Sequence, residues 1–201
     1  MKERPISFRA DMVRAILDDS KTQTRRVIEP QPYGAADVAI LWKGHPIGIE
    51  DCPYGKPGDR LWVKEALERG EMMGGVFDDY HYALYCADKT RARRDPPFCA
   101  PWQWKLGKLP SIFCPRWASR ITLEITGVRV ERVQEISEKD VLAEGCGLRP
   151  WYLNASGYPE GPRTAGFAEL WDSINAKRGY PWEDNPWVWV VEFEVLESSD
   201  A

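Results

Sequence analysis

The longest β pattern of the 201-residue chain lies at Ile121–Ile136, and it limits the fold more than any other feature. Its apolar positions are Ile121, Leu123, Ile125, Val128, Val130 and Val133. Because successive side chains of a strand point to opposite faces, the alternation at the start of this pattern predicts one buried face. A long strand of this kind requires a sheet around it.

The other periodic segments surround this strand with short strands and three helices. Strands are predicted at Pro5–Phe8, Arg60–Lys64, His81–Cys86, Ser111–Cys114 and Trp187–Leu196, with a weak hairpin around Lys43–His45. In Arg60–Lys64 apolar residues alternate with Arg60, Trp62 and Lys64, and the three glycines of Glu65–Asp79 predict a variable excursion there. Helices are predicted from Arg9, over Glu138–Glu144 with a capping box of Ser137 and Asp140, and after the capping residue Thr164. Strands and helices do not alternate, and no Gly-rich phosphate loop occurs, which argues against Rossmann and P-loop proteins. The order predicts an α+β fold, a mixed and mostly antiparallel sheet or small β-barrel with flanking helices.

Charge is distributed unevenly along the chain. The formal net charge of −4 argues against a generally basic nucleic-acid coat protein. Between Lys89 and Arg120, however, eight basic residues accompany a single acidic one, Asp95. Such a local basic field can attract a phosphate-bearing ligand. A solvated loop is the alternative explanation for Lys89–Arg94. The whole of Lys89–Pro110 is predicted to be a long ordered loop or insertion.

The cysteine pattern argues against a metal site and for reducing surroundings. The five cysteines are widely spaced, none forms a CxxC pair, and the chain has two histidines. We therefore expect no metal and no cofactor. With no signal peptide and no apolar run of membrane-spanning length, the sequence predicts a cytoplasmic protein without membrane association. The oligomeric state is not indicated.

The segment Ile16–Ile28 carries the densest chemistry of the chain. Asp18, Asp19 and Ser20 are expected to end the first helix, because short polar side chains compete for backbone hydrogen bonds. One lysine, two threonines, a glutamine and two arginines then follow within six residues. Such a run predicts an active-site or phosphate-facing edge, with a solvated strand as the alternative.

Several segments together resemble one family. Ile16–Arg26 resembles the Gly-x-Lys-x-x-x-x-Arg signature of ASCH domains in the PUA-like superfamily of small β-barrels, and Gly58–Val63 and Ile121–Glu144 resemble other conserved parts of that family. Cys52–Val63, Pro115–Ile121 and Leu170–Asn175 resemble the larger ASCH-containing proteins of bacteriophages and prophages. The resemblance implies a single PUA-like domain over residues 1–201, with insertions at about 65–110 and 146–163.

This sequence departs from the family pattern at two positions. The signature glycine is replaced by Asp19, and because Asp adopts positive φ less readily than Gly, the turn can differ there. Phe113 stands where the larger phage-type proteins usually carry a histidine.

The resemblance also implies an activity. Some small ASCH proteins are amidohydrolases that deacylate N4-acetylcytidine with a lysine base, a threonine nucleophile and a glutamate acid, which correspond to Lys21, Thr24 and Glu144. A threonine hydroxyl needs a neighbouring base, and a lysine serves as one only when burial or a nearby cation lowers its pKa. In an ideal strand Lys21 and Thr24 point to opposite faces, so the triad requires a turn or bulge between Ser20 and Thr24.

A second hypothesis is a non-catalytic module that binds RNA, another single-stranded nucleic acid or a modified base. The predicted substrate- or phosphate-binding residues under either hypothesis are Arg25, Arg26, Trp62, Arg116, Trp117 and Arg120. The arginines would hold phosphates, and the tryptophans could stack on bases. A nuclease is less favoured because the sequence shows no acidic cluster suited to two metal ions.

Overall fold

A computed structural model describes residues 1–34, 40–71, 81–92, 102–146 and 163–198. In these ranges the strands are β1 (Glu3–Ser7), β2 (Gln23–Val27), β3 (Leu41–Trp42), β4 (His45–Pro46), β5 (Arg60–Lys64), β6 (Leu67–Glu71), β7 (His81–Tyr85), β8 (Lys108–Leu109), β9 (Ile121–Arg132) and β10 (Trp187–Ser198). The α-helices are α1 (Ala10–Leu17), α2 (Glu138–Ala143) and α3 (Arg163–Asn175). The predicted α+β class is confirmed. None of the helices in these ranges is long and apolar enough to span a membrane.

The chain forms two compact units. The first unit comprises Met1–Asp18, Asp59–Glu124 and Val195–Ala201, and the second comprises Asp19–Gly58 and Ile125–Glu194. The single domain with two insertions expected from the resemblance stays a prediction, as does the closed PUA-like barrel. The region 147–162, which contains most of the second insertion, lies outside the described residues.

The first unit pairs β1 with β5 in parallel and β5 with β9 in antiparallel orientation. Leu61 and Val63 of β5 are fully buried, as are Ile6 and Leu123 beside them. The opposite face carries Arg60, Trp62 and Lys64, which are only half-buried. The alternation predicted for β5 is therefore confirmed.

A second sheet of the first unit has the strand order β7-β6-β8. Its strand β6 corrects the expectation of a variable excursion after Glu65, which rested on the glycines of that segment. Gly70 lies within β6 opposite Tyr82, whose ring occupies the space where a Cβ atom at position 70 would lie. This glycine therefore accommodates an aromatic side chain inside a sheet instead of marking a loop.

The second unit pairs β2 with β10 in antiparallel orientation, and α2 and α3 cover one side of this pair. The core on that side consists of Val133, Ile136, Val141, Phe167, Trp171, Val188 and Val190. Ser137 begins α2 with the predicted capping box, in which its hydroxyl accepts a hydrogen bond from the Asp140 amide. Helix α2 ends at Ala143, so Glu144 becomes its C-cap residue.

Two local predictions have different outcomes. The weak hairpin is confirmed in its described part, because β3 and β4 pair around Lys43 and Gly44, which have φ values of 51° and 89°. The predicted strand at Ser111–Cys114 is wrong, since Ser111–Phe113 forms a 3-10 helix. Pro110 and Pro115 flank this segment, and proline fixes φ and cannot donate to a sheet.

Candidate functional site on strand β2

The turn before β2 directs Lys21 towards α2. Asp19 adopts a φ of 54°, so it occupies the left-handed region that the family signature fills with glycine. Lys21 then forms an isolated antiparallel bridge with Glu144. The aspartate at the signature position therefore still permits a tight turn.

Lys21 and Glu144 form a buried ion pair. The Lys21 Nζ atom donates to Oε2 of Glu144 at 2.8 Å, to the Glu144 carbonyl at 2.8 Å and to the Gln23 carbonyl at 2.7 Å. The side chains are 1% and 7% exposed. An ammonium group has three N–H donors, and three acceptors meet it here. The geometry therefore stabilises the protonated lysine.

Burial, in contrast to these hydrogen bonds, favours the neutral form of Lys21. Desolvation lowers the pKa of Lys21 below its ordinary value, although Glu144 raises it, and the charge of Arg26 acts together with burial. The lowered pKa is the property that a lysine base requires.

Arg25 joins several carboxylates on the same side of β2. Its guanidinium lies 3.3 Å from Glu144, 3.0 Å from Glu131 and 3.4 Å from Asp140. Arg129 also pairs with Glu131 and Asp140. One group of charged side chains therefore surrounds this side of β2: Lys21, Arg25, Arg129, Glu131, Asp140 and Glu144. Because the Arg25 side chain is 1% exposed, its guanidinium binds internal carboxylates and does not present a phosphate-facing edge.

Thr24 lies on the opposite face of β2. Residues 23–27 pair continuously with residues 188–192, and Thr24 lies opposite Val191 whereas Arg26 lies opposite Trp189. Since side chains alternate along a strand, Thr24 and Arg26 share one face, and Gln23 and Arg25 share the other. The structure brings Lys21 and Glu144 together but directs Thr24 away from them. The catalytic roles of the three residues stay predictions.

The face of β2 that carries Arg26 borders a pocket of about 280 Å³. It is called the β2 pocket below. Its lining residues are Arg26, Val27, Glu29, Trp42, Lys43, Pro53, Tyr54, Arg178 and Trp189. Trp42 packs edge-on against Trp189 with ring centroids 6.5 Å apart, and Lys43 Nζ lies 3.9 Å from the Trp42 ring centroid. The pocket therefore combines aromatic rings with three cationic side chains.

An ion pair and a neutral phenol define the polarity of the β2 pocket. Arg178 pairs with Glu29 at 2.8 Å, and both side chains are more than half exposed. Burial raises the pKa of Tyr54 above its ordinary value, against the opposing charges of Arg26 and Arg178. The Tyr54 hydroxyl is consequently a neutral donor at physiological pH. Rings, guanidinium groups and a phenol suit a flat ligand that carries an anionic group.

The remaining predicted binding residues belong to the first unit. Arg120 donates to both carboxylate oxygens of Glu65 at 3.0 Å and to Asp88 at 2.7 Å, so its buried guanidinium is also held by internal carboxylates. Trp117 stacks on Trp104 against the core. Trp62 is half-buried. Arg116 is half-exposed, pairs with Glu3, and has its guanidinium carbon 5.5 Å from the Trp62 ring centroid.

Sequence reasoning missed most of the pocket. Lys43 lies in the hairpin turn before Gly44, Tyr54 follows Pro53, and Arg178 follows α3, with no common motif to link them. Arg26 belongs to the segment that resembles the family signature, and Pro53 and Tyr54 belong to Cys52–Val63, the segment that resembles the larger proteins. Within the described ranges, no group of three or more His, Cys, Asp or Glu side chains could hold a metal ion.

No protein-family model matches this chain, and no curated protein matches it. Three solved structures are similar at low levels. A DUF984-family protein from Enterococcus faecalis V583 has 13% identity and a TM-score of 0.42, over 100% of this chain and 84% of the other. An ASCH domain from Lactobacillus crispatus JV V101 has 11% identity and a TM-score of 0.40, over 98% of this chain and 80% of the other. The hypothetical protein PH0355 has 12% identity and a TM-score of 0.38, over 98% of this chain and 100% of the other. Similarity at this level assigns the chain to no family.

Proposed function

We propose that the second unit binds a nucleotide or a modified nucleoside in the β2 pocket. The observation that carries this proposal is the placement of Arg26, Lys43 and Arg178 around the rings of Trp42 and Tyr54. Aromatic side chains recognise a base by stacking, and arginine and lysine recognise a phosphate. The Tyr54 hydroxyl and the Glu29 carboxylate add a donor and an acceptor for the edge of a base.

Binding is favoured over hydrolysis because the expected nucleophile and base are separated. The three donors of the Lys21 ammonium already meet three acceptors. Thr24 lies on the other face of the strand, and its register with β10 contains no extra residue that would rotate it. A nucleophilic mechanism needs both groups within hydrogen-bond distance.

The direct test is titration calorimetry of the purified protein with cytidine monophosphate, N4-acetylcytidine and inorganic phosphate. We expect saturable binding of at least one nucleoside ligand, weakened by Arg26→Ala and by Lys43→Ala. Lys139→Ala is the matched control, because Lys139 is an exposed cation of the same unit and does not line the pocket. Equal affinities for all variants, or no binding by the wild-type protein, would contradict the proposal.

The second candidate function is an amidohydrolase acting on an N4-acylated cytidine or a related modified nucleoside. It is supported by the contact between Lys21 and Glu144 and by the burial that lowers the pKa of Lys21. In this reaction Thr24 attacks the acyl carbonyl and transfers its proton to Lys21, and Glu144 protonates the leaving amine. Water then hydrolyses the acyl-enzyme.

Chromatography of N4-acetylcytidine incubated with the protein tests this candidate. If the protein is this amidohydrolase, the wild-type protein should release cytidine and acetate. The Thr24→Val variant, which keeps a β-branched side chain, should lose at least a hundredfold in the rate of deacetylation. Absence of turnover by the wild-type protein would exclude the activity on this substrate.

A further inference from the structure

The segment 102–118 of the first unit combines exposed apolar side chains with an excess of positive charge. After Met1, the most exposed large apolar side chains of the described residues are Leu106, Phe113 and Ile112, at 72%, 67% and 64%. Leu106 precedes the short strand β8, and Ile112 and Phe113 follow it in a 3-10 helix. This arrangement lies outside the β2 pocket and plays no part in the function proposed above.

The backbone around Ile112 and Phe113 holds both side chains away from the core. The Phe113 amide donates to the Pro110 carbonyl at 3.0 Å, and the Lys64 ammonium donates to the Ile112 carbonyl. The next residue, Cys114, is buried and anchors the segment. Because an anchored segment does not fold its apolar side chains back, they stay in water, which is unfavourable unless a partner covers them.

Leu106 and Phe113 lie close enough to share one protein interface. Seven steps of fully extended chain span at most about 25 Å. A standard interface covers about 800 Å² on each partner, which corresponds to a disc about 32 Å wide. One partner can therefore contact the apolar side chains at both ends of β8.

The same segment is positively charged. It contains Lys105, Lys108 and Arg116 and no acidic residue, although the whole chain has a formal net charge of −4. Lys105 and Lys108 are exposed, and neither forms an ion pair with another described residue. A partner surface that carries carboxylates is attracted here, and a basic one is repelled.

Two carboxylates near this segment leave its charge positive. Glu68 is the register partner of Lys108, but it pairs with Lys89. Glu3 pairs with Arg116, and both of these side chains are at least 41% exposed, so a competing carboxylate replaces Glu3 at little cost. With Lys89 included, four cations face two carboxylates.

A protein segment suits this surface better than a second copy of the chain or a lipid bilayer. A twofold-symmetric dimer would bring two positively charged patches together. The Arg69 amide donates to the Gly107 carbonyl, and because ladder bonds alternate, the N–H and C=O groups of Lys108 point to the open side of β8, the outermost described strand of its sheet. Hydrocarbon cannot satisfy these groups, whereas a polypeptide can.

Lys105, Leu106, Lys108, Ile112 and Phe113 are together called the β8 surface. We infer that the β8 surface docks an acidic protein segment that carries apolar side chains. The apolar side chains of the partner cover Leu106, Ile112 and Phe113, and its carboxylates pair with the two lysines. Apolar burial supplies most of the affinity, and charge selects the partner.

The experiment selects short random peptides from a displayed library on the full chain and measures the affinity of the enriched peptides by fluorescence anisotropy. We expect the enriched peptides to combine Asp or Glu with Leu, Ile or Phe. Ile112→Ala and Phe113→Ala should each weaken their binding roughly 5- to 30-fold. The double variant Lys105→Glu/Lys108→Glu should lose binding of the acidic peptides and should prefer the same peptides with every carboxylate residue replaced by lysine.

Ile49→Ala is the matched apolar control, because Ile49 is also exposed and belongs to the second unit. Lys139→Glu is the matched charge control, since Lys139 is an exposed cation of the second unit. Both controls should bind the enriched peptides as the wild-type protein does. Circular dichroism of each variant separates loss of binding from loss of folding.

Two results of the selection would overturn the inference. They are failure to enrich acidic peptides with apolar residues, and wild-type affinity of such peptides for the folded Ile112→Ala and Phe113→Ala variants. Replacing side chains as exposed as these leaves the core intact, so the variants should fold.

Two further measurements would assign the β8 surface to another occupant and so overturn the inference as well. A dimer in sedimentation velocity that Phe113→Ala dissociates would show that a second copy of the chain covers the surface. Binding to vesicles of phosphatidylcholine and phosphatidylserine that Phe113→Ala abolishes would assign it to a membrane. We expect neither.

Discussion

The ammonium of Lys21 lies 2.8 Å from the carboxylate of Glu144, although 123 residues separate them in the chain. Removing two charges from water is costly, and the pair is stable only because backbone carbonyls complete the shell around the ammonium. The contact thus links the start of β2 to the end of α2. It also determines how substitutions at this site will behave.

Replacing Glu144 with glutamine should destabilise the protein by about 3 to 5 kcal/mol, because the buried Lys21 charge would lose its counter-ion. Urea unfolding followed by circular dichroism measures the change. Glu183→Gln, an exposed position of the same unit, should change the unfolding free energy by less than about 0.5 kcal/mol. A Glu144→Gln variant as stable as this control would show that the pair contributes nothing to folding.

Asp140 should make stability dependent on pH in the acidic range. Partial burial raises the pKa of Asp140, but the Ser137 hydrogen bonds and the charge of Arg25 outweigh it and hold the pKa below its ordinary value of 3.8. The folded state therefore binds the proton less readily than the unfolded state does. The resulting stability is present above pH 3.8 and is lost as the pH falls through the folded-state pKa.

The variant Asp140→Asn should accordingly be less stable than the wild-type protein by about 1 kcal/mol at pH 7, since it also weakens the capping box. The difference should shrink as the pH falls below 3.8. Urea unfolding at a series of pH values measures it. A difference that is constant with pH would assign the whole effect to lost hydrogen bonds.

Arg120 and Arg116 allow a matched comparison of a buried and an exposed arginine. Arg120 contacts both oxygens of the buried Glu65, whereas Arg116 pairs with Glu3 at the surface. Lysine cannot reproduce the two-pronged contact, so Arg120→Lys should cost about 3 kcal/mol or more. Arg116→Lys should cost at most about 1 kcal/mol. Equal losses in thermal or urea unfolding would contradict the geometry of the Arg120 contact.

The hairpin that supplies Trp42 and Lys43 to the β2 pocket depends on a glycine. Gly44 has a φ of 89°, and a Cβ atom there would meet no atom within 4 Å. Gly44→Ala should therefore cost about 1 to 2 kcal/mol purely through backbone strain, and it should weaken ligand binding in the pocket. Gly107→Ala has equally open space without a positive φ, so it should be nearly neutral.

Local signals made part of the fold predictable. The capping box of α2 and the hairpin turn at Gly44 each depend on neighbouring residues, and both are confirmed. Strand β6 was missed because Gly70 resembles a loop residue until its partner Tyr82 is known. Ser111–Phe113 resembles a strand in its apolar residues, but the prolines on either side of it favour a 3-10 turn.

The candidate site was less predictable because its partners are distant in sequence. Arg26 and Arg178 line one pocket although 151 residues lie between them in the sequence, and no periodicity connects them. Two predicted ligand-binding arginines, Arg25 and Arg120, are buried against carboxylates instead. Charge density in a sequence does not distinguish an arginine that meets a ligand from one that neutralises its own protein.

The opposite orientations of Arg25 and Arg26 have a practical consequence for engineering. Position 26 can be randomised to search for new ligand preferences, while the buried positions 23, 24 and 25 remain fixed. A library of this design should keep most of its members folded, because the ion pairs of Arg25 are untouched. Inserting one residue just before Gln23 would exchange the two sets of side chains at once, so such a chain should not fold.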